Sequence, residues 1–306
     1  MPTEIIRDGS VAGGIPDILP FRPAAITVFA EREQRLGELA RGHALEEYLR
    51  FAAALCRVQD QVLQRFPEVT LPDARTVAQC REHGLPPLSA DGHRRDSAWR
   101  DGLRQLLAAL DRAALPPQAA AVLGTLADAP ADRLEALASH LLAGTYAEVD
   151  AGQAPFLGAA LQVYWVSMAA ALGAQAFGPN VRYGLCPVCG SPPVASVVRI
   201  GGAQHGLRYL QCSLCASEWH VVRVKCSACG STKGISYLGI EGANDAVKAE
   251  VCNECKTYLK IFYLEKDPRI DVCADDLASL ALDMLVDEQG YRRLGPNMLL
   301  AVKGEE

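Results

Sequence analysis

Eight cysteines set the frame for this chain of 306 residues. They form four C-x-x-C pairs, Cys186/Cys189, Cys212/Cys215, Cys226/Cys229 and Cys252/Cys255, and each cysteine of the first two pairs recurs 40 residues later. The match extends beyond sulfur: Gly190-Ser191 maps onto Gly230-Ser231, Val198 onto Leu238, Ile200 onto Ile240 and Val221 onto Ile261. One small unit is duplicated, in too few copies for a solenoid. Two residues between cysteines let a tight turn aim both sulfurs at one ion while neighbouring amides donate to them. Gly190 and Gly230, each following a second cysteine, permit the positive φ such a turn often needs. Four thiolates in a tetrahedron suit zinc or a mononuclear iron.

Within each unit 22 residues separate the pairs. That gap fits a β-hairpin whose loop, 201–206 or 241–245, returns the second pair to face the first. Two wirings are compatible with the period: each repeat closes its own site, or pairs one and three share an ion while two and four share the other. The hairpin spacing favours self-contained repeats. Residues 186–265 otherwise read as short β-prone runs (PVASVVRI, GLRYLQC, EWHVVRV, GISYLGI, AVKAEVC, TYLKIFYL). So small a ribbon has little core, and a bound ion would supply much of its folding free energy.

The preceding residues read differently. After a loose arm over 1–20, helical spacing begins at Phe21 and continues through two segments, the second with a stripe of Leu45, Tyr48, Leu49, Ala52, Leu55, Cys56 and Val62. Residues 67–95 read as a long connection with one or two helical turns. Helices are predicted over 98–114, 117–128, 131–145 and 156–177. No residue from Ala151 to Val181 is charged, which is long enough for a membrane span. Its Ala/Gly character, three glutamines, Pro155 and Pro179 indicate a buried core helix instead. One last helix is predicted after Pro268, with Leu277, Leu280, Ala281, Met284 and Leu285 on its apolar face and Asp275, Asp276, Asp283, Asp287 and Glu288 mostly solvated. The expected fold class is α+β. An all-α domain over 21–180 precedes tandem ribbons over 181–224 and 225–266, and a C-terminal helix and tail over 267–306.

Cysteines so paired read as thiolate ligands in a reducing cytoplasm rather than as a secreted disulfide framework, which belongs to small coreless domains. Cys56, Cys80 and Cys273 stand alone and read as small packing residues. The start of the chain shows no basic segment followed by an apolar one, so no export signal is expected. Residues 182–266 carry ten basic and six acidic side chains within a chain of net charge −6. Four thiolates leave about −2 per site around a divalent ion, or about −1 around ferric iron, so two sites cancel half or all of that excess and argue against a phosphate footprint. A closed four-cysteine site leaves no open position for catalysis. His205 reads as a loop residue, and His220 as a packing residue with a position beside a thiolate as the alternative. His43, His83, His93 and His140 show no ligand or triad spacing, and no P-loop, dinucleotide fingerprint or G-x-S-x-G occurs.

The order of parts resembles one family. RLGELARGHALEEYLRFAAALCRVQ is followed by CPVCGSPPVAS, LRYLQCSLCASEWHVVRVKCSACG, a second ribbon and DDLASLALDMLVDEQGYRR. Over essentially its full length the chain is similar to the formate dehydrogenase accessory (formation) proteins, the FdhE family. The resemblance implies a cytoplasmic accessory protein that is not itself a dehydrogenase. It would engage the catalytic subunit of a respiratory, selenium- and molybdenum-containing formate dehydrogenase before export by the twin-arginine route. It also implies rubredoxin-like ribbons, two metal ions with iron favoured over zinc, and Cys186, Cys189, Cys212, Cys215, Cys226, Cys229, Cys252 and Cys255 as ligands. An iron- or redox-sensing role is the alternative, because iron held by thiolates can change oxidation state where zinc cannot.

Overall fold

The first half of the chain folds into helices α1 (Val28–Leu39), α2 (Glu46–Leu63), α3 (Ala74–His83), α4 (Ala98–Ala109), α5 (Pro117–Ala127), α6 (Ala131–Ala143) and α7 (Ala154–Leu172), all but α3 marked by apolar residues that pack inward. The computed structural model describes residues 20–115, 117–178 and 184–300. The expected N-terminal arm, apart from Pro20, and the tail beyond 300 lie outside the described residues. In α2, Leu49, Ala52, Leu55, Cys56 and Val62 are buried as the spacing predicts, whereas Leu45 at the helix entrance is exposed. The connection over 67–95 contains more helix than expected. The ten residues of α3 bury none of their side chains, so no apolar stripe announces them. Their signals are the caps: the Asp73 carboxylate accepts from the Thr76 amide at 2.8 Å, and Gly84 ends the helix at φ +61°.

Helix α7 is the hub. It is long and apolar enough to cross a membrane, yet 78% of its most apolar window is buried within the protein. Phe156, Leu157, Leu161, Val163, Trp165 and Met168 leave it from every side into the core. Gly158 lets the C-terminal segment cross closely, since a Cβ there would lie 2.3 Å from the Met298 carbonyl oxygen.

The second half supplies most of one continuous sheet, which Phe21–Arg22 joins at its edge. Its strands are β1 (Phe21–Arg22), β2 (Pro193–Val198), β3 (Arg208–Cys212), β4 (Glu218–Val221), β5 (Ile235–Leu238), β6 (Val247–Cys252), β7 (Thr257–Tyr263) and β8 (Arg292–Arg293). The order is β1-β4-β3-β2-β7-β6-β5, with β8 also on β7. Each repeat is a three-stranded antiparallel meander, β2-β3-β4 or β5-β6-β7. The first strand of one repeat pairs in parallel with the last strand of the other, Ser196 opposite Ile261 and Val198 opposite Tyr263. The ribbons therefore share a sheet. Phe21, where helical spacing was expected to begin, starts strand β1, opposite Trp219 and 4.8 Å from the Phe177 ring.

The predicted last helix is two helices, α8 (Val272–Ala278) and α9 (Leu280–Asp287), broken at Ser279. The break changes which face is inside. Leu282 and Val286 pack on Ala249, Val251 and Tyr258, whereas Met284 and Leu285 are 67% and 44% exposed. Asp275 and Asp276, expected in solvent, are buried because buried cations need them. Lys260, wholly buried on β7, reaches Asp276 at 2.9 Å and Asp283 at 2.5 Å, and the Arg293 guanidinium grips Asp276 through both carboxylate oxygens at 2.7 Å. Asp275 accepts from Arg35 of α1 at 2.6 Å, and Asp271 from Arg32 at 3.2 Å. These pairs, with Tyr48 donating to the Leu299 carbonyl at 2.5 Å, fasten the C-terminal segment onto the helices.

Candidate metal centres

The meander geometry brings each knuckle pair to face its partner. In the first repeat the Cys186 amide donates to the Ser191 carbonyl at 3.0 Å and the Gly190 amide to the Cys186 carbonyl at 2.8 Å. The second repeat reproduces both bonds, Cys226 to Ser231 at 2.8 Å and Gly230 to Cys226 at 3.0 Å. Gly190 and Gly230 both adopt φ +74°, the conformation that the glycine after the cysteine pair permits. At the second pair of each repeat the same position is filled by Ala216 (φ +54°) and Lys256 (φ +55°), so those turns form without glycine.

Among the described residues the thiols collect in two groups of four, Cys186/Cys189/Cys212/Cys215 and Cys226/Cys229/Cys252/Cys255, with all sulfurs of a group within 4.8 Å of one another. Each group lies within one repeat, the self-contained arrangement that hairpin spacing favours. Sulfur separations are 3.6 Å for Cys186–Cys215, 3.4 Å for Cys189–Cys212 and 3.8 Å for Cys189–Cys215. In the second group they are 3.6 Å for Cys226–Cys255 and 3.8 Å for Cys229–Cys252. A tetrahedral ion about 2.3 Å from each sulfur sets its ligands about 3.8 Å apart, so the donor set fits such an ion. Amides point at the sulfurs: Leu214 and Cys215 at Cys212 (3.3 and 3.4 Å), Ala228 and Cys229 at Cys226 (3.4 and 3.5 Å). The Thr257 hydroxyl lies 2.9 Å from the Cys255 sulfur.

Burial raises the Cys186 and Cys212 thiols well above their ordinary range. It opposes ionisation of Cys189 too, but hydrogen bonds from Cys186, Cys212 and Cys215 outweigh it and hold that thiol well below. Burial likewise pushes Cys226 up to about 12. Cys255 feels the same penalty, yet hydrogen bonds from Thr257 and the neighbouring thiols bring it down to about 7. The four buried sulfurs of the first group cannot all ionise unless a cation joins them.

The surroundings of the two groups differ. Around the first, the Leu88 and Ala90 amides donate to the Val188 and Cys189 carbonyls at 3.0 and 2.7 Å, and Gln162 of α7 donates to the Ser213 carbonyl at 2.8 Å. All four of its cysteines are buried. In the second group Cys229 is exposed and Cys255 half-buried. Arg208 joins the repeats: wholly buried on β3, it pairs with Glu250 of β6 at 2.8 Å and donates to Ser227 Oγ at 3.0 Å. Neither this cation nor Lys260 belongs to a motif, and the only sign of each in the sequence is a basic side chain at a core-facing position of a strand.

Neither His205, exposed on the β2–β3 loop, nor His220 joins a cysteine group. The His220 ring lies 5.6 Å from that of Tyr209, its cross-strand partner, in a packing role. His43 bonds the Ala278 carbonyl at 3.0 Å, His93 the Tyr164 hydroxyl at 3.3 Å, and His140 Thr145 at 3.0 Å. Cys56 and Cys273 are buried and Cys80 half-buried, all apart from the groups of four.

Comparison with known proteins places the same three stretches together. Models of the FdhE N-terminal, central and C-terminal domains match residues 18–181, 185–223 and 224–300. The chain belongs to the FdhE family. An FdhE homolog of Pseudomonas aeruginosa is 45% identical over 314 aligned positions, with 100% of both chains covered. One from Edwardsiella ictaluri is 45% identical, covering 98% of this chain and 97% of its own. Protein FdhE of Salmonella typhimurium is 43% identical, covering 95% and 94%. The crystal structure of the FdhE protein from Pseudomonas aeruginosa superposes with a TM-score of 0.84 at 43% identity, over 93% of this chain and 99% of that one.

Proposed function

We propose that this protein is an accessory factor in formate dehydrogenase formation that binds the catalytic subunit in the cytoplasm and has no formate-oxidising activity of its own. The observation that carries the reading is membership of the FdhE family through helices and ribbons alike. The eight cysteines ligate two ions, one per repeat. Iron is favoured by the family resemblance, and zinc satisfies the same donors. Such closed tetrathiolate centres hold a binding surface in shape rather than open a coordination position to substrate. The test is capture of the formate dehydrogenase catalytic subunit from cells growing on formate, together with deletion of the gene. Deletion is expected to leave the dehydrogenase polypeptide present but inactive. Full activity in the deletion strain, or no capture under both oxic and anoxic conditions, refutes the proposal.

A further inference from the structure

The repeats share a ligand pattern but not a setting, and the difference is written in the residues between the ligands. Val188, Ser213, Leu214 and Ala216 of the first repeat correspond to Ala228, Asn253, Glu254 and Lys256 of the second. The first set is buried. In the second, Asn253, Glu254 and Lys256 are exposed. Cys189 is 1% exposed, and its counterpart Cys229 is open to solvent. The first knuckles are also clamped from outside the repeat, by the amides of Leu88 and Ala90, by Gln162, and by Pro86 beside Gly190.

Thiolate–metal exchange needs an incoming donor to reach the ion and a ligand free to swing away, and the surrounding shell governs both. At the first site every sulfur is walled in, so release requires opening the contact between helices and sheet. At the second, a donor arriving from solvent meets the Cys229 side directly. We propose that the two centres are kinetically unequal: the first is a permanent fastener, and the second exchanges its ion with incoming donors, thiols or chelators, through Cys229. In that step a bond forms between the incoming donor and the ion as the Cys229 bond breaks. The electron pair stays on sulfur, which then takes a proton from water, and nothing is oxidised. The inference rests on metal binding by both groups, as in the proposed function.

The test uses the full-length protein loaded anaerobically with zinc and mixed with excess 4-(2-pyridylazo)resorcinol, with release followed by absorbance. Half of the zinc should leave at least about tenfold faster than the rest, given the difference in access. Iodoacetamide pulses during the fast phase, read by mass spectrometry, should label Cys226, Cys229, Cys252 and Cys255 while Cys186, Cys189, Cys212 and Cys215 stay protected. Because this assignment is made on the unaltered chain, it does not depend on a variant that folds. A single phase, or early labelling of the first set, overturns the inequality while leaving metal binding intact. A protein that takes up no zinc overturns the metal reading as well.

Discussion

Replacing Arg208 by methionine tests what holds the two ribbons together. The guanidinium is wholly buried and faces Glu250, itself 4% exposed, at 2.8 Å. Removing one partner of a buried ion pair strands the other charge, at a cost of about 3–5 kcal/mol. The Tyr237 hydroxyl still donates to Glu250 at 3.1 Å and offsets about 1 kcal/mol of that. Methionine fills much of the stem's volume, so a large cavity term is not expected. The net expectation for Arg208→Met is a loss of about 3 kcal/mol in urea unfolding at fixed zinc. Ser227, which loses its donor, lies between Cys226 and Cys229, so the ion lost first should be that of the second repeat. Pairing Arg208→Met with Glu250→Met removes both charges and should recover stability to within about 1 kcal/mol of the original chain. A single variant indistinguishable from the original, or a double variant as unstable as the two singles added, would refute the reasoning.

Other expectations can be checked alongside. Elemental analysis should find two equivalents of iron plus zinc, and Cys186→Ser and Cys226→Ser should each lose one, because each sulfur group closes within its own repeat. Leu282→Ala should cost about 2–5 kcal/mol in thermal or urea unfolding, whereas Met284→Ser should stay within about 0.5 kcal/mol. The reverse ranking would restore the unbroken C-terminal helix. Burial opposes ionisation of Asp276, but Arg293 and Lys260 outweigh it and hold its carboxyl below the usual carboxylate range. A depressed carboxylate contributes stability above its unfolded pKa and loses it as pH falls through the folded one. Asp276→Asn should therefore be less stable than the original chain at neutral pH, and the gap should close below about pH 4. A gap independent of pH would show that the carboxylate's charge is not what matters.

Much of the site was legible in the sequence because its determinants are local. Cysteine spacing and the glycine after each leading pair specify a knuckle without reference to the rest of the chain. The stripe of α2 was legible for the same reason. The asymmetry between repeats was also present, in Leu214 against Glu254 and Ala216 against Lys256, but attention to the shared ligands hides it. Helix α3 is hard to read because none of its residues is fully buried and Val77 alone of its aliphatic branched side chains packs on the core, which leaves the caps as its clearest signal. The break at Ser279 carries neither glycine nor proline. It is tied to a non-local demand, as Ser279 Oγ donates to the Asp275 carbonyl at 2.7 Å and receives Lys260 Nζ at 3.0 Å. The parallel pairing of β2 with β7 joins segments 65 residues apart through no motif at all.

That parallel pairing bears on how the chain is made. During synthesis β2 emerges with one side taken by β3 and the other bare until residue 263 follows. The carboxylates that neutralise Arg32 and Arg35 arrive later still, more than 230 residues after their partners. Contacts this distant along the chain slow folding and leave sticky edges exposed meanwhile. The helical half must wait on the ribosome with Arg32 lacking Asp271, Arg35 reduced to its i+3 neighbour Glu38 at 3.7 Å, and α7 uncovered. A nascent chain cut short anywhere before Leu300 thus lacks part of its own cover, so the fold closes only once that segment has left the ribosome.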